Sequence, residues 1–472
     1  MKTNYTNRKP WLSFGLKKSI ATKNKLYLRS IKTKNEVDFQ TYKSYKTMLN
    51  RLMRKCEREH YESLMTKNKH NMRKLWMIIK DVINKKKSTT IPCQFKIGEE
   101  IVTNKRVISN KFNDYFINIG SDLESKIPVQ NIDPLNYIQH ESQQSIFLNA
   151  ANEDEVMRIV KDLKNTSTGW DGIHSKVLKR SLSVILKPLT HVLNLSLSQG
   201  FFPDSMKVAR VIPLFKSGNN MCISNYRPVS VLPVISKLFE RLMFNRITDF
   251  IDKQNILYKY QFGFRTNHGT DSALITLVDH IMSAIDSGNI VLGVFLDFKK
   301  AFDTVNHTIL ISKLNKYGIR GVALDWIKDY LRNRYQFVAF NNVESDKKLI
   351  KCGVPQGSIL GPLLFLLYIN DLPSSSNNTI SFIFADDTNV FLKGKNLNEM
   401  IDTMNNELEG IFHWLNANKL TLNVSKTHYM IFRSHRNKPL RSKELCINGT
   451  SERAPPASSR TMFTLAHHFQ VF

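Results

Sequence analysis

The chain has 472 residues, of which 42% are hydrophobic, enough for two or three domains with ordinary cores. It carries 68 Lys and Arg against 40 Asp and Glu, a formal charge of +28, so a role without a polyanionic partner is a poor fit. Its five cysteines form no C-x-x-C pair and the longest apolar run, 359–369, is short and broken by Gly361-Pro362, so a zinc cluster, a disulfide framework and a membrane span are not indicated.

The first predicted unit is the basic segment 1–90, where 24 Lys and Arg face 6 Asp and Glu, leaving +18 of the total +28. Residues 1–35 have little apolar pattern, and we expect no regular structure there. Apolar residues then recur every three or four positions from Tyr42 to Cys56 and again from Leu75 to Ile83, which predicts two amphipathic helices. Their basic faces favour nucleic acid or an anionic membrane surface; the alternative is a face that is merely solvated.

The middle of the chain mixes helical and extended patterns. Residues 91–150 are predicted to be a connector with one short helix around Val107–Ile119. A helical period runs from Glu153 to Leu197 with a break at Ser167-Thr168-Gly169, and Gly200 ends it. Prolines at 203, 213, 228 and 233 then predict short strands and turns.

From residue 290 the pattern becomes strand, helix, strand. Ile290–Leu296 is an unbroken apolar run typical of a buried strand, and a helix is predicted from Lys299 to Tyr317. Two further strand patterns, Ser381–Ala385 and Thr388–Leu392, flank an Asp-Asp pair as a hairpin. This order predicts an α+β domain built on an antiparallel sheet.

Three carboxylates lie at the edges of these strands. Asp297 directly follows the buried run, and Asp386 and Asp387 occupy the hairpin turn. Such carboxylates are costly without a compensating cation, and if the two elements are neighbours they form an oxygen-rich site suited to Mg²⁺. Taken singly, the Asp pair fits ordinary turn chemistry and Asp297 fits a helix N-cap.

Several compact motifs follow one another along the second half of the chain. They are Asn225-Tyr226-Arg227-Pro228-Val229-Ser230, Gln261-x-Gly263-Phe264-Arg265, Leu296–Val305, Gly353–Pro362, Phe384-Ala385-Asp386-Asp387 and Trp414–Thr427. Together and in this order they resemble the sequence boxes of reverse transcriptases from non-LTR (LINE-type, jockey-like) retrotransposons.

The resemblance implies a role for each matching residue. Asp297, Asp386 and Asp387 would be the catalytic triad and would bind two Mg²⁺ ions, with Mn²⁺ as the alternative ion. The nucleotide pocket would contain a triphosphate-binding pair, a sugar-selecting ring and two residues beside the nucleotide, which are Lys216, Arg227, Phe302, Gln356 and Gly357. Lys426 would act as a general acid toward pyrophosphate. From the residues alone, Phe302 fits a helix core and each cation fits a solvated surface.

The resemblance also implies a fold and a function. Residues 151–450 would form the fingers and palm of a right-hand polymerase, with an antiparallel palm sheet backed by helices, preceded by the connector 91–150 and the helical basic region 1–90. The protein would be an RNA-directed DNA polymerase that copies an RNA template from a DNA primer with deoxynucleoside triphosphates. It would work in an intracellular ribonucleoprotein, in the nucleus or the cytoplasm. The alternative is a non-catalytic nucleic-acid-binding remnant of a mobile element.

The end of the chain departs from this pattern. Residues 451–472 resemble neither a primer grip nor a thumb, and they are interpreted as an unrelated tail. The resemblance therefore predicts a truncated copy without a recognisable thumb, in which single-nucleotide addition stays possible but extension of a primer is weak or absent.

Overall fold

The computed structural model describes residues 10–82, 92, 94–128, 132–139, 141–165, 167–434, 445–447 and 450–453. The chain divides into two compact units between residues 91 and 92. Among the helices in these ranges, none is long and apolar enough to cross a membrane. Most of the predicted tail, residues 454–472, lies outside the described residues, so its interpretation as an unrelated tail stays a prediction.

Three helices make up the N-terminal unit: α1 (Phe14–Thr33), α2 (Glu36–Lys67) and α3 (Met72–Val82). Each of the first two begins at a polar cap, because the Ser13 hydroxyl accepts the N–H of Leu16 and the Asn35 amide oxygen accepts a backbone N–H two residues later. Trp11, Leu16 and Leu49 form the small core of this unit.

The two helices predicted from apolar spacing correspond to parts of α2 and α3. The expectation that residues 1–35 lack regular structure is wrong for Phe14–Thr33. Caps explain the difference: Ser13 starts the helix, and Lys34 ends it in the left-handed conformation, with a φ of 50° and its N–H donated to the Ser30 carbonyl. The other helices of this region were predicted from apolar residues that recur every three or four positions. Residues 1–35 lack that pattern, and capping hydrogen bonds do not depend on it.

The second unit contains β1 (Phe95–Ile97), β2 (Glu100–Val102), α4 (Lys105–Glu124), α5 (Glu153–Asp162), α6 (Ser175–Gln199), β3 (Val208–Phe215), β4 (Tyr226–Val231), α7 (Ser236–Lys253), α8 (Thr270–Asp286) and β5 (Ile290–Leu296). It continues with α9 (His307–Lys316), α10 (Val322–Leu331), β6 (Tyr335–Phe340), β7 (Val343–Glu344), β8 (Lys348–Leu349), α11 (Leu360–Ile369), β9 (Ile380–Phe384), β10 (Asp387–Gly394), α12 (Leu397–Ala417), β11 (His428–Phe432), β12 (Cys446–Ile447) and β13 (Thr450–Arg453). The predicted α+β class is confirmed.

The central sheet is four-stranded, with the order β11-β5-β10-β9, and all its pairings are antiparallel. Strand β5 is apolar at successive positions because both faces of the sheet are covered. Leu292 and Val294 lie in the main core with α7 and α9 to α12, whereas Val291 packs in a second core beneath α8. The sequence prediction of a buried strand over Ile290–Leu296 is confirmed.

A second, mixed sheet has the order β4-β3-β6-β7, and β8 also pairs with β6. Strands β3 and β6 are parallel, and the other pairs are antiparallel. Helix α4 covers this sheet: the Phe112 ring lies 5.1 Å from the rings of Phe95 and Tyr226 and 5.4 Å from that of Phe340. The short helix predicted near 107–119 is thus a longer helix that belongs to a core.

The helix predicted from Lys299 to Tyr317 is wrong at its beginning. The chain forms a 3₁₀ turn over Ala301–Asp303, and α9 begins only at His307. Lys300 has a φ of 51°, which a continuous right-handed helix excludes. The Asn306 side chain then accepts two backbone N–H groups and starts the helix anew.

Candidate active site

The acidic hairpin predicted from the sequence is present and tight. Strand β9 ends at Phe384, β10 begins at Asp387, and these two residues are paired across a turn that contains only Ala385 and Asp386. Ala385 has a φ of 57°, a conformation that residues with a Cβ atom rarely adopt. The turn therefore places both aspartates at one end of the central sheet.

Asp297 lies at the same end of the sheet. Thr388 pairs with Leu296, so Asp387 and Asp297 each lie one residue beyond that pair on neighbouring antiparallel strands. Neighbouring negative charge acts on both turn aspartates: burial, then the charge of Asp297, raises the pKa of Asp386. Burial, Asp386 and Asp297, in that order, raise the pKa of Asp387 from 3.8 to about 7. The structure thus brings the three predicted acids together.

Asp297 is held by the segment before β11. The Asn423 side-chain amide donates to the Asp297 carboxylate at 2.6 Å, and the Asn423 backbone N–H donates to the Asp297 carbonyl at 2.7 Å. The Lys426 ammonium lies 4.0 Å from the same carboxylate. Lys426 therefore stands beside the acids, and Asn423, to which the sequence assigned no role, orients one of them.

Two predicted cations come from the second sheet. Arg227 on β4 pairs with Leu214 on β3, and Lys216 follows β3 with its backbone N–H donated to the Asn225 carbonyl. Both cations lower the pKa of Asp386 and Asp387 and so lie within electrostatic reach of them. Burial first, then the charge of Arg227, lowers the pKa of Lys216 in turn. A cationic group from one sheet therefore faces an acidic group from the other.

Phe302 lies in the 3₁₀ turn after Asp297, half-buried. Its ring centroid is 4.5 Å from that of Phe365 and 6.3 Å from that of Phe264. The turn is tied to the segment before α11, because the Val354 N–H donates to the Phe302 carbonyl at 2.8 Å. One side of Phe302 is thus packing surface, which fits part of the core interpretation given by the residues alone.

Gln356 and Gly357 are bound to protein groups in this structure. The Gln356 amide donates to Asp303 at 2.8 Å, and its carbonyl accepts the Ser230 N–H at 2.8 Å. A Cβ atom on Gly357 would lie 2.5 Å from the Ser230 carbonyl oxygen. The close approach that requires a glycine here is therefore to strand β4, whereas the sequence interpretation placed it next to substrate.

Asp303 is a residue that the sequence prediction missed. Burial raises its pKa to about 6, against the opposing effects of Lys300 and the hydrogen bond from Gln356. Its second carboxylate oxygen is buried without a hydrogen-bond partner among the described residues. Its position directly after Phe302, in the motif Leu296–Val305, could have marked Asp303 as a candidate. Its hydrogen bond with Gln356, however, forms only in the folded chain.

The chemistry of the acids fits a divalent cation, because burial and then neighbouring negative charge raise the pKa of Asp386 and Asp387, and a bound cation compensates both effects. In the part of the chain that the structure describes, however, no group of three or more His, Cys, Asp or Glu side chains is arranged to hold a metal ion. The three acids lie at one end of the central sheet, but the described side chains there do not form a metal-ligand set.

Comparison with known proteins places these observations in a family. The family model "Reverse transcriptase (RNA-dependent DNA polymerase)" matches residues 215–460, just over half of the chain. The "Probable RNA-directed DNA polymerase from transposon BS" of Drosophila melanogaster is 30% identical over 345 residues, covering 70% of this chain and 37% of that protein. The "RNA-directed DNA polymerase from mobile element jockey" of Drosophila melanogaster is 30% identical over 305 residues, covering 63% and 33%.

The corresponding protein "from transposon X-element" of the same species is 32% identical over 286 residues, covering 60% of this chain and 31% of that protein. The chain thus spans about a third of the length of the curated relatives that it matches.

Proposed function

The chain belongs to the reverse transcriptase (RNA-dependent DNA polymerase) family, and we propose that it is the RNA-directed DNA polymerase of a non-LTR mobile element. Its substrates would be an RNA template, a DNA primer and deoxynucleoside triphosphates, within an intracellular ribonucleoprotein. The observation that supports this most is that three acidic side chains and two basic side chains lie near one another. Asp297, Asp386 and Asp387 lie at one end of the central sheet, within electrostatic reach of Lys216 and Arg227.

In right-hand terms, the central sheet with its helices would be the palm. The sheet that carries Lys216 and Arg227, with α4 packed on it, would belong to the fingers. The assignment follows from which sheet bears acids and which bears cations, since the acids must meet the primer end and the cations the triphosphate.

The proposed reaction is transfer of a nucleotidyl group to a primer 3′-hydroxyl, with release of pyrophosphate. Lys216 and Arg227 would bind the triphosphate by charge and by forked hydrogen bonds, respectively. Phe302 would exclude a 2′-hydroxyl, Gln356 would lie against the nucleotide, and Lys426 would deliver a proton to the leaving pyrophosphate. When bound at Asp297, Asp386 and Asp387, Mg²⁺ or Mn²⁺ would supply the charge that neutralises the reacting oxygens.

A second candidate is a non-catalytic nucleic-acid-binding protein. The observation that favours it is the +18 charge of residues 1–90. Such a protein would bind RNA with a strong salt dependence and would add no nucleotide.

Single-nucleotide addition separates the two candidates. The 472-residue protein is incubated with a labelled DNA primer on an RNA template, Mg²⁺ and the one matching deoxynucleoside triphosphate. We expect extension by one nucleotide, loss of extension in Asp386→Asn, and unchanged extension in the matched control Asp279→Asn, whose side chain is exposed on α8. Binding of the primed template without extension would favour the second candidate. Equal extension by Asp386→Asn would contradict the assigned acids.

A further inference from the structure

A short segment before α8 runs along the outer edge of the acidic hairpin. The Ile383 N–H donates to the Tyr260 carbonyl at 2.9 Å, and the Phe262 N–H donates to the Ile383 carbonyl at 2.8 Å. Gln261 thereby forms a parallel bridge with Ile383. Strand β9 is consequently supported on the side away from β10, two residues before the turn.

The Gln261 side chain reaches the turn itself. It is 2% exposed, and its amide oxygen accepts the N–H of Gly263 at 2.9 Å and the N–H of Ala385 at 3.2 Å. Ala385 is fully buried and has the positive φ noted above. The hydrogen bond from Gln261 therefore satisfies a buried donor in a turn conformation that alanine does not favour by itself.

Gly263 meets the same residue. A Cβ atom at Gly263 would lie 2.2 Å from the Ala385 nitrogen and 2.9 Å from its Cα atom. Any larger residue would push the turn away from the supporting segment. Two residues of one short motif thus contact the single residue that precedes both aspartates.

We infer that Gln261 and Gly263 are positioning residues that hold Ala385 in its left-handed conformation and thereby orient the carboxylates of Asp386 and Asp387. Neither residue touches a reacting atom; both act through the turn. The consequence for cation binding rests on the proposed function, whereas the consequence for the hairpin does not.

The competing interpretation is that Gln261 is an ordinary buried amide whose loss weakens the protein in general. Asn194 on α6 provides a matched comparison, because its amide accepts the Ala151 N–H at 2.7 Å and donates to the Ala151 carbonyl at 2.9 Å. Asn194→Leu removes two hydrogen bonds to the backbone at a place that is not part of the hairpin.

The test measures two quantities in the full chain: amide hydrogen exchange of peptides covering 380–394, and binding of Mn²⁺ alone, followed by electron paramagnetic resonance. We expect Gln261→Leu and Gly263→Ala to accelerate exchange at the turn. We also expect Mn²⁺ affinity to fall about 10- to 100-fold, the range usual when an outer supporting residue is lost. Asn194→Leu should lower the melting temperature without changing either quantity.

Unchanged exchange over 380–394 in both hairpin variants, or the same change in Asn194→Leu, would overturn the inference. Gly263→Ala keeps the test decisive if Gln261→Leu does not fold. A wild-type chain that binds no Mn²⁺ would argue against the proposed function, and the exchange measurement would still decide whether Gln261 holds the turn.

Discussion

Replacement of Asp387 by Asn should stabilise the metal-free protein at alkaline pH. Asp387 begins β10 at the acidic end of the sheet, where burial and two neighbouring carboxylates raise its pKa from 3.8 to about 7. The folded protein therefore holds this proton more tightly than the unfolded chain does. Between pH 3.8 and pH 7 the group's contribution to stability is lost as the pH rises.

The size of the effect follows from the two pKa values. Each pKa unit corresponds to about 1.4 kcal/mol, so the ionised carboxylate costs at most about 4 kcal/mol of unfolding free energy above pH 7. Asn cannot ionise and resembles the protonated acid in shape. The variant should accordingly exceed the wild type by up to about 4 kcal/mol at pH 8.5, with the difference vanishing near pH 4.

Urea unfolding in the presence of a chelator, repeated from pH 4 to pH 8.5, measures this difference. Asp279→Asn, at an exposed position on α8, is the matched control and should show no pH-dependent gain. Addition of Mn²⁺ should stabilise the wild type more than the variant, because the cation relieves the repulsion that Asn has already removed. A variant that is no more stable than the wild type at pH 8.5, or that is more stable by the same amount at every pH, would contradict a raised pKa of Asp387.

Three further predictions concern other parts of the chain. Phe302→Ala should raise the use of ribonucleotides relative to deoxynucleotides. It should also lower the unfolding free energy by ~2 kcal/mol, because the Phe302 ring packs on Phe365. An unchanged nucleotide ratio in a folded variant would mean that the ring contributes to packing and does not select the sugar. Deletion of residues 1–90 should flatten the salt dependence of RNA binding, and an unchanged log–log slope would contradict a nucleic-acid role for their +18 charge. Glu240→Ala should cost ~3 kcal/mol in urea unfolding, since Glu240 accepts two backbone N–H groups at the start of α11; a loss below ~1 kcal/mol would speak against that role.

Features that depend on neighbouring residues could be predicted from the sequence alone. The run Ile290–Leu296 had to be a covered strand because it is apolar at every position, and the structure has the strand at those bounds. The hairpin around Asp386 could also be predicted from the sequence, since two apolar strand patterns flank a polar pair. The motifs also indicated the family, and the family in turn indicated which acidic and basic residues were candidates for the site.

Capping chemistry was harder to interpret from the sequence than apolar spacing. Ser13 begins a helix through one side-chain hydrogen bond, and Asn306 does so through two. In a polar stretch of sequence, Ser and Asn also favour turns, so the residue type alone does not indicate a helix start. For that reason α1 was missed and α9 was predicted to begin too early.

The hydrogen bonds that support the site could not be predicted from the sequence. Asn423 reaches Asp297 across 126 residues, Gln261 reaches Ala385 across 124, and Gln356 reaches Asp303 across 53. Each of these is a hydrogen bond between segments that lie far apart in the chain, and no local period encodes such a pairing. The sequence determined which acids would be candidates because strand and turn signals are local. Their orientation depends on partners distant in the chain, which only the folded structure brings into contact.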